Sequence, residues 1–169
     1  DFSIPYFDAK QAIIVPHDSD IGSSSQLHGK KIGVHLGTTG DIYCTENFKD
    51  CEIVRYSKGT EAILDMIHSR VDVVVIDDLP ARMLADKNRG QVKILDEHLF
   101  EEQYRVVVAK GNSDLLSVIN VILKEPKDDG VIDEIVSTYS SETSNCGQGF
   151  FGLIYSGLIY KNRYNNIIE

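Results

Sequence analysis

Two short stretches carry the residues best suited to chemistry. Residues 31–40 read KIGVHLGTTG and residues 71–80 read VDVVVIDDLP. Each is an apolar run that ends in small or acidic polar residues. A Gly-Thr-Thr-Gly turn after a strand exposes the first amides of a following helix, and those N–H groups and the helix dipole attract anions. The hydroxyls of Thr38 and Thr39 sharpen such a site. A carboxylate at the carboxyl end of a central strand lies where ligands bind in open α/β sheets, and it attracts a cation. Asp77 and Asp78 stand at that point. A zwitterion satisfies both features. Each also has a plainer use, since Gly and Thr make ordinary turns and an Asp there can be a solvated loop residue. Asp78 is the expected N-cap of the next helix, with Pro80 in its first turn, which leaves Asp77 without a local task.

Other chemistries lack their residues. No Lys follows GTTG, so it is not a P-loop, and GxGxxG is absent. There is no Gly-x-Ser-x-Gly and no Cys in a recognisable His context. The histidines at 17, 28, 35, 68 and 98 form no i, i+4 pair, so neither a metal site nor a cofactor is expected. Cys44, Cys51 and Cys146 match no zinc spacing. A Cys44–Cys51 bridge, if the chain is extracytoplasmic, and two buried free thiols are both open. A net charge of −9 and a pI near 5.0 argue against non-specific nucleic-acid or anionic-lipid binding. No apolar run is long enough to span a membrane.

The elements that must position these residues alternate. With 42% hydrophobic residues in 169, a core is affordable. Residues 11–15, stopped by Pro16, predict a strand, and 17–29 a linker. Strands are predicted at 31–36, 52–56, 71–76, 92–95 and 105–109. The continuously apolar 71–76 is expected at the centre of a parallel sheet. Helices are predicted at 41–48, from a Thr60 cap onward, from Asp78 to about 87, from a Ser113 cap to Pro126, and after Gly130. The acidic 97–102 and the charged 124–129 read as solvated loops. This alternation means an α/β fold with a mostly parallel sheet. The aromatic-rich 150–169 fits a helix lying on a membrane surface or partner, or one packed on its own domain.

FSIPYFDAKQAIIV, QLHGKKIGVHLGTTG, GTEAILDMIHSRVDVVVIDDLPA and YRVVVAKGNSDLLSVINVILKEPKDDGVIDEIVSTY occur in this order and spacing. Together, over residues 1–139, they resemble the bacterial extracellular solute-binding proteins of family 3, the polar amino-acid receptors of ABC importers. The resemblance implies a type II periplasmic-binding-protein-like fold whose two lobes close on an amino acid. It puts Thr38 and Thr39, with the Gly37 turn, on the ligand's α-carboxylate. It puts Asp77 on the α-ammonium and His35 and Gly40 at the pocket wall. Residues 1–16 then form a crossover strand, 17–110 the second lobe, 111–139 returning helices, and 140–169 a linker and pre-membrane segment.

The family's first-lobe segments would precede Asp1, so the chain is expected to be part of something longer and to self-associate when isolated. FFGLIYSGLIYKNRYNNIIE resembles the lead-in to a family permease's first membrane helix, which implies a receptor fused to its permease in one chain. The implied partners are an amino acid, that permease and its ATPase, outside the cytoplasm and tethered to the membrane. The alternatives are an amino-acid-sensing ectodomain of a signalling protein and a phosphate- or nucleotide-using α/β enzyme.

Overall fold

The computed structural model describes residues 1–128, 130, 131, 134 and 159–161. In chain order the elements are β1 (Phe7–Pro16), a 3-10 turn (Ser24–Leu27), β2 (Lys31–His35), α1 (Thr39–Asn47), β3 (Glu52–Tyr56) and α2 (Gly59–Ile67). Then come β4 (Val73–Asp77), α3 (Asp78–Lys87), β5 (Val92–Val106), α4 (Ser113–Asp128) and β6 (Ile159–Lys161). The chain divides into two units, Lys10–Glu101 and Asp1–Ala9 with Glu102–Glu169, so β1 and β5 each contribute to both.

In the Lys10–Glu101 unit the strand order is β3-β2-β4-β1-β5. β2 is parallel to both β3 and β4, whereas β1 is antiparallel to β4 with Gln11 opposite Asp77. The period-2 alternation of a strand sends neighbouring side chains to opposite faces. Ala12, Ile14, Val74 and Ile76 therefore pack with Ala62, Ile63 and Met66 of α2 and Leu84 of α3. Ile13, Val15, Val73 and Val75 pack on the other face with Cys44 and Phe48 of and after α1. Burial on both faces is why β4 is apolar without a break.

Several boundaries differ from the sequence expectations. Residues 97–102 are strand, not loop, because β5 is one 15-residue element. Its charges have partners: Glu97 accepts from the amide and hydroxyl of Ser24 at 2.8 and 2.6 Å, and Glu101 meets Lys10 at 3.2 Å. Those Ser24 bonds hold the Glu97 carboxyl below its ordinary range. The segment 17–29 contains the 3-10 turn, which buries Leu27. α2 is capped by Lys58 without a side-chain bond rather than by Thr60. Gly59 starts α2 close against the core: a Cβ there would lie 2.6 Å from Ile76 Cδ1, which would have to shift. α4 runs past Pro126, the expected stop, to Asp128.

In the other unit, Ser3 and Tyr6 donate their amides to Val106 and Tyr104 carbonyls at 2.9 and 3.1 Å. The Ile4 amide reaches Asn120 Oδ1 of α4 at 2.8 Å. Ile159–Lys161 pairs antiparallel with β5, so these three residues are strand where a helix was expected. The rest of the expected tail helix, and the helix expected after Gly130 beyond residues 130, 131 and 134, lie outside the described residues.

Candidate ligand site

The site is built at the carboxyl ends of β2 and β4. Their parallel register, Val34 beside Val75, brings the GTTG turn and Asp77 to adjacent strand ends. Gly37 turns the chain with φ +74, a conformation that favours glycine. Thr38 is the N-cap of α1: its hydroxyl donates to the His35 carbonyl at 2.8 Å and accepts from the Asp41 amide at 3.4 Å. Its own amide donates to the same His35 carbonyl at 3.3 Å. Thr38 thus shapes the turn with the groups that were expected to meet a ligand. Thr39 and Gly40 form the first turn of α1, where backbone amides precede the intrahelical ladder.

Asp41 braces this turn. It is 6% exposed, and its Oδ2 accepts from the Gly37 amide at 3.0 Å. Its Oδ1 accepts from Arg55 Nε at 2.9 Å and from the Thr45 hydroxyl at 3.2 Å. The carboxylate near the helix N-terminus is matched by the guanidinium, so the pair adds no net charge. The Thr38-x-x-Asp41 spacing carries a first-turn capping pattern, but nothing in the EIVRY stretch marked Arg55 as its partner.

Asp77, not Asp78, occupies the N-cap position of α3, with no side-chain cap bond. Asp78 lies in the first turn, accepting from the Lys10 amide at 3.4 Å and facing Arg82 at 3.7 Å. The Asp77 carboxylate is instead turned to β1, where Gln11 Nε2 donates to its Oδ1. Asp77 is 3% exposed and Gln11 0%. Burying a carboxylate is costly unless it is hydrogen-bonded, and the carboxamide provides that bond. By strand parity both residues belong to the face covered by α1. A Cβ at Gly40 would stand 2.6 Å from Gln11 Oε1. Gln11, Gly40 and Asp77 therefore form one contact group. Gln11, the polar residue at the head of an apolar run, is not among the residues that the sequence singles out. His35 ends β2, and its Nε2 shares a hydrogen bond with the Ser57 carbonyl at 3.0 Å.

Cys44 and Cys51 are free thiols, and burial, ahead of nearby Asp41 and Cys51, pushes the Cys44 thiol up to about 12. Among the described residues no cluster of His, Cys, Asp and Glu could hold a metal. No helix among them is long and apolar enough to cross a membrane.

Comparison with known proteins gives a consistent family. The profile of the bacterial extracellular solute-binding proteins, family 3, matches residues 1–142. The L-cystine-binding protein TcyJ of Escherichia coli K12 is 28% identical over 137 residues, covering 80% of this chain and 52% of the relative. The ABC transporter glutamine-binding protein GlnH of Bacillus subtilis is 29% identical over 143 residues, covering 84% and 52%. A solved structure of an ancestral arginine-binding protein bound to arginine superposes with a TM-score of 0.72 at 40% identity, covering 82% of this chain and 63% of that one. The chain spans about half the length of the curated relatives it matches.

Proposed function

Because the chain belongs to the bacterial extracellular solute-binding proteins of family 3, we propose that its Lys10–Glu101 unit is one ligand-gripping lobe of an amino-acid receptor for an ABC importer. The observation that carries this reading is the adjacency of an amide-rich helix start and a buried carboxylate at two neighbouring parallel strand ends. The Thr39 hydroxyl and the amides of Thr39 and Gly40 hold the ligand α-carboxylate. Asp77 holds the α-ammonium. Gly37 and Thr38 set the turn, and His35 and Gly40 wall the pocket. The named ligands of the relatives, cystine, glutamine and arginine, share this zwitterionic head group and differ in side chain. This lobe therefore grips what is common, and side-chain choice falls to other surfaces.

The role is capture, with no catalytic step. Closure of a second lobe removes water and strengthens both charged contacts, and the permease, in the same chain or another, reads the closed form and works with its ATPase. The receptor acts outside the cytoplasm, held at the membrane. Calorimetric titration of the full-length protein with pooled and then single amino acids identifies the ligand. Asp77→Asn then weakens binding by about 2–5 kcal/mol, the penalty of leaving a buried ammonium without its charge partner. Unchanged affinity in that variant overturns the assignment.

A further inference from the structure

Gln11 is a polar residue in an otherwise apolar, buried stretch of β1. It is fully buried in a run of Ala, Ile, Ile and Val, where an amide is expensive to place. Three observations give it a purpose. It stands directly opposite Asp77 across the β1–β4 pair. It donates to the Asp77 carboxylate. Its other amide atom, Oε1, fills the space that a side chain at position 40 would need.

We propose that Gln11 is a positioning residue that fixes the Asp77 carboxylate for the ligand ammonium and forms with Gly40 a size-matched floor under the head-group site. The idea rests on the amino-acid reading above. A side chain longer than hydrogen at position 40 would displace the carboxamide, and the displaced carboxamide would release Asp77. Position 40 thus bears on the ammonium contact through Gln11, in addition to the carboxylate contact of its own amide. A helix otherwise favours Ala over Gly, so retaining Gly40 in the first turn of α1 has a reason in Gln11.

The test uses the full-length receptor and the amino acid that titration identifies. Gln11→Met keeps the volume and removes the donor. It lowers affinity about tenfold in the wild-type background, the scale of one charge-assisted hydrogen bond, and adds nothing in Asp77→Asn. Equal losses in both backgrounds overturn the proposal, because Gln11 would then act on packing alone. No loss with Gln11→Met beside a large loss with Asp77→Asn overturns it too, while leaving the receptor reading intact. Wild-type affinity in Asp77→Asn removes Asp77 from the ammonium contact and the proposal with it, whereas the receptor reading itself is overturned if the full-length protein binds no amino acid. A second measurement needs no ligand. Gly40→Ala lowers the urea midpoint of the wild type, and it no longer does so in a Gln11→Ala background, where the space is vacant. An equal decrease in both backgrounds sinks the size match.

Discussion

Asp41→Ala tests whether the turn at residues 37–40 is held from within its own unit. Three hydrogen-bonded contacts disappear, to the Gly37 amide, Arg55 and the Thr45 hydroxyl; Thr45 is exposed, so water takes over its bond and it adds little to the loss. The Gly37 amide loses a charged acceptor at 3.0 Å, worth about 1 kcal/mol where water can partly replace it. The Arg55 pair at 2.9 Å is discounted because the Arg55 side chain is 41% exposed, and contributes about 0.5–1 kcal/mol. Loss of a negative charge in the first turn of α1 removes about 0.5 kcal/mol of dipole stabilisation. The sum is about 2–2.5 kcal/mol. With a urea slope of about 2 kcal/mol per molar, the midpoint of the full-length protein falls by about 1 M. Asp41→Asn keeps one acceptor and recovers about half of the loss. Arg55→Ala costs about 1 kcal/mol, because the carboxylate keeps its amide and Thr45 donors. A midpoint for Asp41→Ala within about 0.2 M of wild type would refute the reasoning, as would an Arg55→Ala loss as large as that of Asp41→Ala.

Two more outcomes follow from titrating groups in the same unit. The Cys44 thiol is raised to about 12 in the folded chain from an ordinary 9.0. Unfolded chains therefore release that proton first, and stability declines from about pH 9 towards 12. Cys44→Ala flattens that decline in urea melts at successive pH values, and peptide mapping after mild alkylation of the native protein finds Cys51 labelled ahead of Cys44. The Asp65 carboxyl is held low, first by the Tyr56 hydroxyl at 2.9 Å and then by Arg70 at 2.8 Å. A depressed carboxyl stabilises above its unfolded value and loses that contribution as pH falls through the folded one. Tyr56→Phe therefore makes the acid-side loss of stability shallower, and an unchanged slope would exclude the hydroxyl as the cause.

What could be read from the sequence depended on how local its cause was. The unbroken VVVID run announced a strand buried on both faces, and the small turn after VH announced a helix start beside it. Both depend on residues adjacent in the chain. Gln11 could not be read, because its partner lies 66 residues away and only strand register brings them opposite. Asp77 was singled out for lacking a local task, and its partner proved to be non-local. The Asp78 cap was misplaced by one residue because α3 starts directly from the last strand residue, leaving no loop to carry a cap. In residues 97–102 the charges hid the alternation of Phe100 and Glu102 inward against Glu101 outward. The groups that meet these charges, the Ser24 hydrogen-bond donors and the Lys10 ammonium, come from elsewhere in the chain.

The antiparallel seat of β1 beside β4 also has a consequence in time. During synthesis β1 emerges before β4, and Asp77, the residue opposite Gln11, follows 66 positions later. At roughly 5–20 residues per second that interval lasts about 3–13 s. Through it, Ala12, Ile13, Ile14 and Val15, all buried in the finished fold, have no strand to lie against. The Gln11–Asp77 contact and the core strand therefore form in one late event, when β4 arrives. A pause in translation between residues 16 and 73 lengthens the exposure of a sticky apolar strand, and a holding chaperone or a fast-translated message shortens its effect.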